Sequence, residues 1–201
     1  MYLIRIDMER SSRAVRSALS DCQQMHRLVM GLFEKERQQA DVLYRVKDQG
    51  MNISLYVYSA VPVQGERLIP GMKLGGQREV SAWLSSLNNG RCLRFDLLAM
   101  PAKKVRAGGK NSQRRVLRTL DERINWLVRK AEQNGFRLLD VAENGSTSFR
   151  GLHKASAGEM HWEAFHYTGT LQITDEALFR RAVQRGIGAG KAYGLGMLLL
   201  A

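Results

Sequence analysis

The chain has 201 residues, of which 44% are hydrophobic and 25% charged. That composition belongs to a globular protein with a packed core and excludes a disordered chain. A formal net charge of +12 makes nucleic acid the leading expected partner, ahead of a membrane surface, because no strongly basic amphipathic helix is visible.

The charge is uneven. Residues 1–88 hold 12 Lys/Arg against 9 Asp/Glu, a net of +3, and residues 89–201 hold 19 against 10, a net of +9. Cys22, Cys92 and the four histidines show no metal-ligand spacing. No metal and no other cofactor is therefore expected, and both cysteines read as free thiols in a reducing compartment. The start has no basic segment followed by an apolar one, and no apolar run approaches the ~20 residues of a membrane span. The expectation is a cytoplasmic protein.

In chain order, residues 2–8 alternate, with Ile4, Ile6 and Met8 apolar and Arg5 and Asp7 polar, which predicts a half-buried strand. Ser20-Asp21 starts a helix whose core stripe is Met25, Leu28, Val29, Leu32 and Phe33. Two strands follow, Val42–Lys47 and Asn52–Ala60, split by Asp48-Gln49-Gly50. Pro62 to Gly76 reads as loop, and 79–86 as a last strand or a short helix. Asn88-Asn89-Gly90 marks the boundary between two units.

The second unit opens with a strand at Leu93, Phe95 and Leu97. Residues 103–118 then carry Lys103, Lys104, Arg106, Lys110, Arg114, Arg115 and Arg118 without one acid. That segment predicts phosphate contacts; the plainer reading is a solvated, flexible loop. Thr119 to Glu122 forms a capping box, and Ile124, Leu127, Val128 and Ala131 give the next helix its stripe. A strand at 136–142, two strands within 144–169, a helix from Thr174-Asp175 to Gly186 and a last strand at 193–200 complete the order. Strand, helix, strand, strand, helix, strand is a ferredoxin-like (RRM-like) βαββαβ unit. The fold class is α+β, two tandem ferredoxin-like domains, the first degraded. The expected domains are 1–88, with the helix just described, and 91–201, with the basic segment and a Gly-rich loop.

That loop runs from Gly186 to Gly196. It is not a P-loop, since Arg185 and Ala192 stand where Gly and Ser/Thr are required. Its plainer reading is a turn needing positive φ; its functional reading is open backbone amides at Gly188 and Gly190, with Lys191 beside a phosphate backbone. His26 lies off the stripe of its helix, about one turn from a positive N-terminus that favours phosphate and a neutral imidazole. Such a histidine suits general acid or base work; a half-exposed histidine without a task is the alternative. Arg150, His153 and Lys154 lie on a hairpin able to track a groove. Trp162, Phe165 and Tyr167 suit either base stacking or core packing, the latter being the better fit.

Together, Met1-Tyr2-Leu3, the helix Gln24-Met25-His26-Arg27-Leu28 followed by Phe33, and Gly186-Ile187-Gly188 with Lys191, Gly194 and Gly196 before an apolar strand resemble the CasE family. These are the CRISPR RNA-processing endoribonucleases of the type I-E Cascade complex. The resemblance spans the whole chain. It implies binding of the CRISPR repeat stem-loop and a metal-independent cut at the 3′ base of the stem, made by the 2′-hydroxyl and leaving a 2′,3′-cyclic phosphate. It further implies that the protein stays on the RNA hairpin as a Cascade subunit, beside CasC- and CasD-like backbone subunits. On this sequence the catalytic histidine falls on His26, the phosphate contact on Arg27 and the stem-docking hairpin on residues 144–160. The family tyrosine three residues before the histidine is Gln23 here, so the resemblance implies either slower turnover or another group in its place, with Lys154 and Tyr193 as candidates. The alternatives are a non-catalytic CRISPR RNA-binding subunit, which Gln23 favours and His26 opposes, and an unrelated RRM-type module with aromatics exposed on its sheet.

Overall fold

The computed structural model describes residues 1–33, 40–50, 52–106, 112–152 and 159–201. Two four-stranded antiparallel sheets carry the architecture. The first contains β1 (Tyr2–Met8), β2 (Leu43–Gln49), β3 (Asn52–Ser59) and β4 (Met72–Glu79), in the order β2-β3-β1-β4. Helices α1 (Arg13–Ser20) and α2 (Cys22–Gly31) follow β1, while only a 3-10 turn at Gly65–Arg67 lies between β3 and β4. A short α3 (Ser81–Ser85) leads out of the sheet.

The second sheet contains β5 (Cys92–Ala99), β8 (Phe136–Leu152), β9 (Glu159–Ile173) and β10 (Leu198–Leu200), in the order β10-β5-β9-β8. Between β5 and β8 come a separate two-stranded ladder, β6 (Ala102–Arg106) and β7 (Ser112–Val116), and then α4 (Leu120–Gln133). Helix α5 (Glu176–Arg185) joins β9 to the Gly-rich segment. In both sheets the first strand lies between the third and the fourth, the ferredoxin-like arrangement. The missing helix between β3 and β4 is what makes the first unit the degraded one.

Some elements differ from those expected. Helix α1 was hidden because it buries only Val15 and Ala18 and shows a Ser/Arg surface; Ser12 caps it by accepting from the Val15 amide. Residues 72–76 form strand rather than loop. The β1–β4 register slips so that Arg5 faces Gly76 while Ile6 faces Leu74, leaving Gly75 as a bulge. A glycine pair that reads as a turn thus marks an irregular strand. The last strand covers Leu198–Leu200, and Lys191–Tyr193 forms a 3-10 turn. On α4 the capping box forms as expected, but Val128 is 40% exposed and Trp126, at 3%, takes its place inside.

The two sheets share a core. Leu43, Tyr58, Val80, Leu84 and Leu87 pack into one cluster with Phe95, Leu97, Trp126, Tyr167 and Phe179. A second cluster joins Ile4, Ile6, Leu55 and Val57 to Met25 and Val29 of α2. Burying a side chain such as Met25 or Val29 contributes roughly 1.5–3 kcal/mol. Those two residues therefore fix the rotation of α2, and with it the face that carries His26.

Candidate active site

Helix α2 starts where α1 stops. Asp21 closes one and caps the other, its backbone extended at φ −140° and ψ 118° and its carboxylate accepting from the Gln23 and Gln24 amides. With Cys22, Met25 and Val29 turned inward, His26 is half-buried and Arg27 exposed. Burial, with Asp21 beside it, pushes the Cys22 thiol up to about 11, which makes it an inert core residue rather than a nucleophile.

The Gly-rich segment stands opposite His26. All five motif glycines have φ between +72° and +83°, so the backbone alone accounts for their presence. Two of them matter most for the site. Gly190 and Gly194 flank the Lys191–Tyr193 turn in left-handed conformations. A Cβ on Gly194 would lie 3.1 Å from the Tyr44 ring, and one on Gly190 2.7 Å from the Leu195 side chain. The amides of Ile187, Tyr193, Leu195 and Gly196 are already spent on backbone carbonyls. Tyr44, buried in the first sheet, donates its hydroxyl to the Ala192 carbonyl at 2.9 Å and staples the turn to β2.

That staple carries Tyr193 to α2. Its ring meets the His26 ring edge-on, with centroids 6.3 Å apart and planes at 68°. On another side the Trp162 ring packs at 4.6 Å. The Gln23 amide donates to the Tyr193 hydroxyl oxygen at 2.9 Å. Lys191, in the same turn, is half-buried. Burial, then the charges of Arg185 and Lys130, hold its ammonium below the ordinary lysine range, leaving a positive site that an anion would relieve.

Beside Tyr193 opens a cavity of about 490 Å³, lined among others by Met25, Arg45, Lys47, Phe149, Arg150 and His166. One wall is an ion cluster across the sheets. Asp96 pairs with Arg45, with Lys47 at 2.8 Å and with His166 Nε2 at 2.8 Å. Burial pushes the Asp96 carboxyl up, but the Lys47 hydrogen bond and the Arg45 charge outweigh it and hold it below the usual range. No sequence signal pointed to this cluster, because its members sit at ordinary polar positions of β2, β5 and β9.

The basic segment is an ordered ladder over its described residues. Lys103 faces Arg115 and Lys104 faces Arg114 directly across the strands, all four exposed. Like charges placed opposite each other destabilise a ladder, and Lys103 is relieved by Glu122 at 3.6 Å. Arg106 faces Ser112 at the far end, and Lys110 lies outside the described residues. Arg150 is exposed on β8 opposite His161; His153 and Lys154 also lie outside the described residues. Phe165 and Tyr167 are buried, at 6% and 0%, so they form core and not a stacking platform. Among the described residues no group of three or more His, Cys, Asp or Glu is placed to hold a metal ion, and no helix is long and apolar enough to cross a membrane.

Fold and site thus define a tandem ferredoxin-like protein with a strongly basic surface and a His–Tyr contact between α2 and the glycine-flanked turn. A family described as CRISPR associated protein matches residues 1–201. The chain belongs to that family and, within it, to CasE. It is 28% identical to the CRISPR-associated endoribonuclease Cse3 of Thermus thermophilus, with both chains covered in full. A structure of CRISPR endoribonuclease Cse3 bound to a 19-nucleotide RNA matches with a TM-score of 0.89 at 28% identity, again over 100% of each chain. A chain of a CRISPR RNA-guided surveillance complex in a pre-nicking state matches with a TM-score of 0.76 at 25% identity, over 100% of this chain and 99% of that one.

Proposed function

We propose that the chain is a CRISPR repeat endoribonuclease. It binds the repeat stem-loop of precursor CRISPR RNA, cuts at the 3′ base of the stem without a metal, and stays on the hairpin as a subunit of a Cascade complex in the cytoplasm. The observation that most supports this is the meeting of His26 with the glycine-flanked turn, in a chain that matches an RNA-bound endoribonuclease from end to end.

In the cut, the 2′-oxygen upstream of the scissile phosphate attacks phosphorus. The O2′–P bond forms and the P–O5′ bond breaks, leaving a 2′,3′-cyclic phosphate and a 5′-hydroxyl. His26 serves as general base for the 2′-hydroxyl proton or general acid for the 5′-oxygen. Arg27, exposed one residue on, contacts the phosphate. Lys103, Lys104, Arg106, Lys110, Arg114 and Arg115 hold the RNA backbone. Arg150, His153 and Lys154 dock the stem, and Gly188, Gly190 and Lys191 approach the strand near the cut.

A second reading, a CRISPR RNA-binding subunit that does not cut, is favoured by Gln23. Purified protein incubated with a repeat hairpin in EDTA separates the two. The nuclease reading expects one cut in wild type and none in His26→Ala, with binding kept in both. Tightly bound but intact RNA in the wild-type reaction supports the second reading.

A further inference from the structure

We infer that Tyr193 is a catalytic residue of the proposed cleavage, its hydroxyl donating a hydrogen bond to a non-bridging oxygen of the scissile phosphate, and that Gln23 is its positioning residue. This rests on the nuclease reading above. It assigns a task to a side chain 170 positions along the chain from Gln23.

Three contacts fix the phenol. Trp162 packs against its face side at 4.6 Å, the His26 ring meets it edge-on, and Gln23 Nε2 donates to its oxygen at 2.9 Å. Its backbone is equally tied: the Tyr193 amide donates to the Gly190 carbonyl at 2.8 Å, and Tyr44 holds the preceding carbonyl. A ring held this firmly needs no reorganisation to present its hydroxyl.

The direction of the Gln23 bond is informative. The amide donates, so it occupies a lone pair of the phenol oxygen and leaves the O–H proton unspent. Among the described residues no acceptor takes that proton. The phenol ring that carries it meets edge-on the imidazole that the cleavage reading assigns to proton transfer. Lys191 in the same turn, with the charge of Arg185 at the end of α5 acting on it, makes the surroundings positive, so the acceptor that fits is an anionic oxygen. As the O2′–P bond forms, negative charge grows on the non-bridging oxygens, and a donor aimed there binds the transition state more tightly than the ground state. The basic ladder and Arg27 supply ground-state affinity instead.

The test is single-turnover cleavage of a repeat stem-loop RNA, with Kd measured in parallel. Removing one donor of this kind costs about 10²–10³ in rate, so Tyr193→Phe is expected to cut that much more slowly with Kd almost unchanged. Gln23→Ala slows the cut less, and the double variant is no slower than Tyr193→Phe, because Gln23 acts through the phenol. A sulfur at the contacted non-bridging oxygen, a poor acceptor, slows wild type for one phosphorothioate diastereomer and adds nothing in Tyr193→Phe. A merely structural tyrosine would leave that stereospecific effect intact. Tyr193→Phe cutting at the wild-type rate, a loss confined to Kd, or an undiminished sulfur effect in the variant each overturns the assignment. Wild type leaving the RNA uncut sinks the nuclease reading, and this inference with it.

Discussion

Asp96 shows how one side chain can join two sheets. It lies on β5 yet neutralises Arg45 and Lys47 of β2 and meets His166 of β9. Arg45 is 4% exposed, so its charge depends on that carboxylate. Asp96→Ala leaves the guanidinium buried without its counter-charge, which costs about 3 kcal/mol and is read as a lower denaturant midpoint. The carboxyl lies below its ordinary value in the folded state. Its contribution is therefore complete above the unfolded value, about 3.9, and is lost as pH falls through the lower folded one. Between pH 5 and pH 3, wild type should lose stability more steeply than Asp96→Ala. Parallel curves would show that the cluster does not stabilise the fold.

At the scale of elements, the glycine-flanked turn and the basic ladder make separable predictions. Gly194→Ala forces a side chain onto φ +81° and against the Tyr44 ring. Strain of this kind costs about 1–3 kcal/mol, and because Tyr193 is adjacent, cleavage should fall further than stability does. Lys191→Ala should weaken RNA binding alike for different sequences and lower the salt slope by about 1, the mark of one lost phosphate contact. Replacing Lys103, Lys104, Arg114 and Arg115 by Gln should flatten the slope by up to about 1 for each charge that touches phosphate. An unchanged slope, read from affinity against salt, would show that the ladder is not an RNA surface.

What the sequence made legible at this scale follows from what each element must satisfy. Ile4, Ile6 and Met8 alternate because β1 buries one face, and Thr119 and Glu122 announce a helix start because both fill unpaired backbone groups. The glycines of 186–196 stand out because each has positive φ. Helix α1 stayed hidden because two inward residues make no stripe, and β4 because its bulge puts Gly75 where a turn signal is read. His26 was visible through its place near a capped helix start. The Asp96 cluster was not, since pairs between strands far apart in sequence leave no local pattern.

Over the whole molecule, the charge and the proposed chemistry occupy different units. The half that carries a net of +9 holds the ladder and Lys191, while His26 sits in the half with a net of +3. The two meet because Tyr44, Gln23 and the shared core bring the turn after α5 against α2. A site assembled this way depends on both sheets, so variants that loosen their seam should lose cleavage before they lose RNA binding. The most direct test of the central claim is a time course with repeat stem-loop RNA in EDTA, comparing wild type with His26→Ala and assaying the new ends. The expected result in wild type is one cut at the 3′ base of the stem, with a 2′,3′-cyclic phosphate and a 5′-hydroxyl; with His26→Ala it is intact, still-bound RNA. Cleavage that requires Mg²⁺, or equal cleavage by His26→Ala, would contradict it.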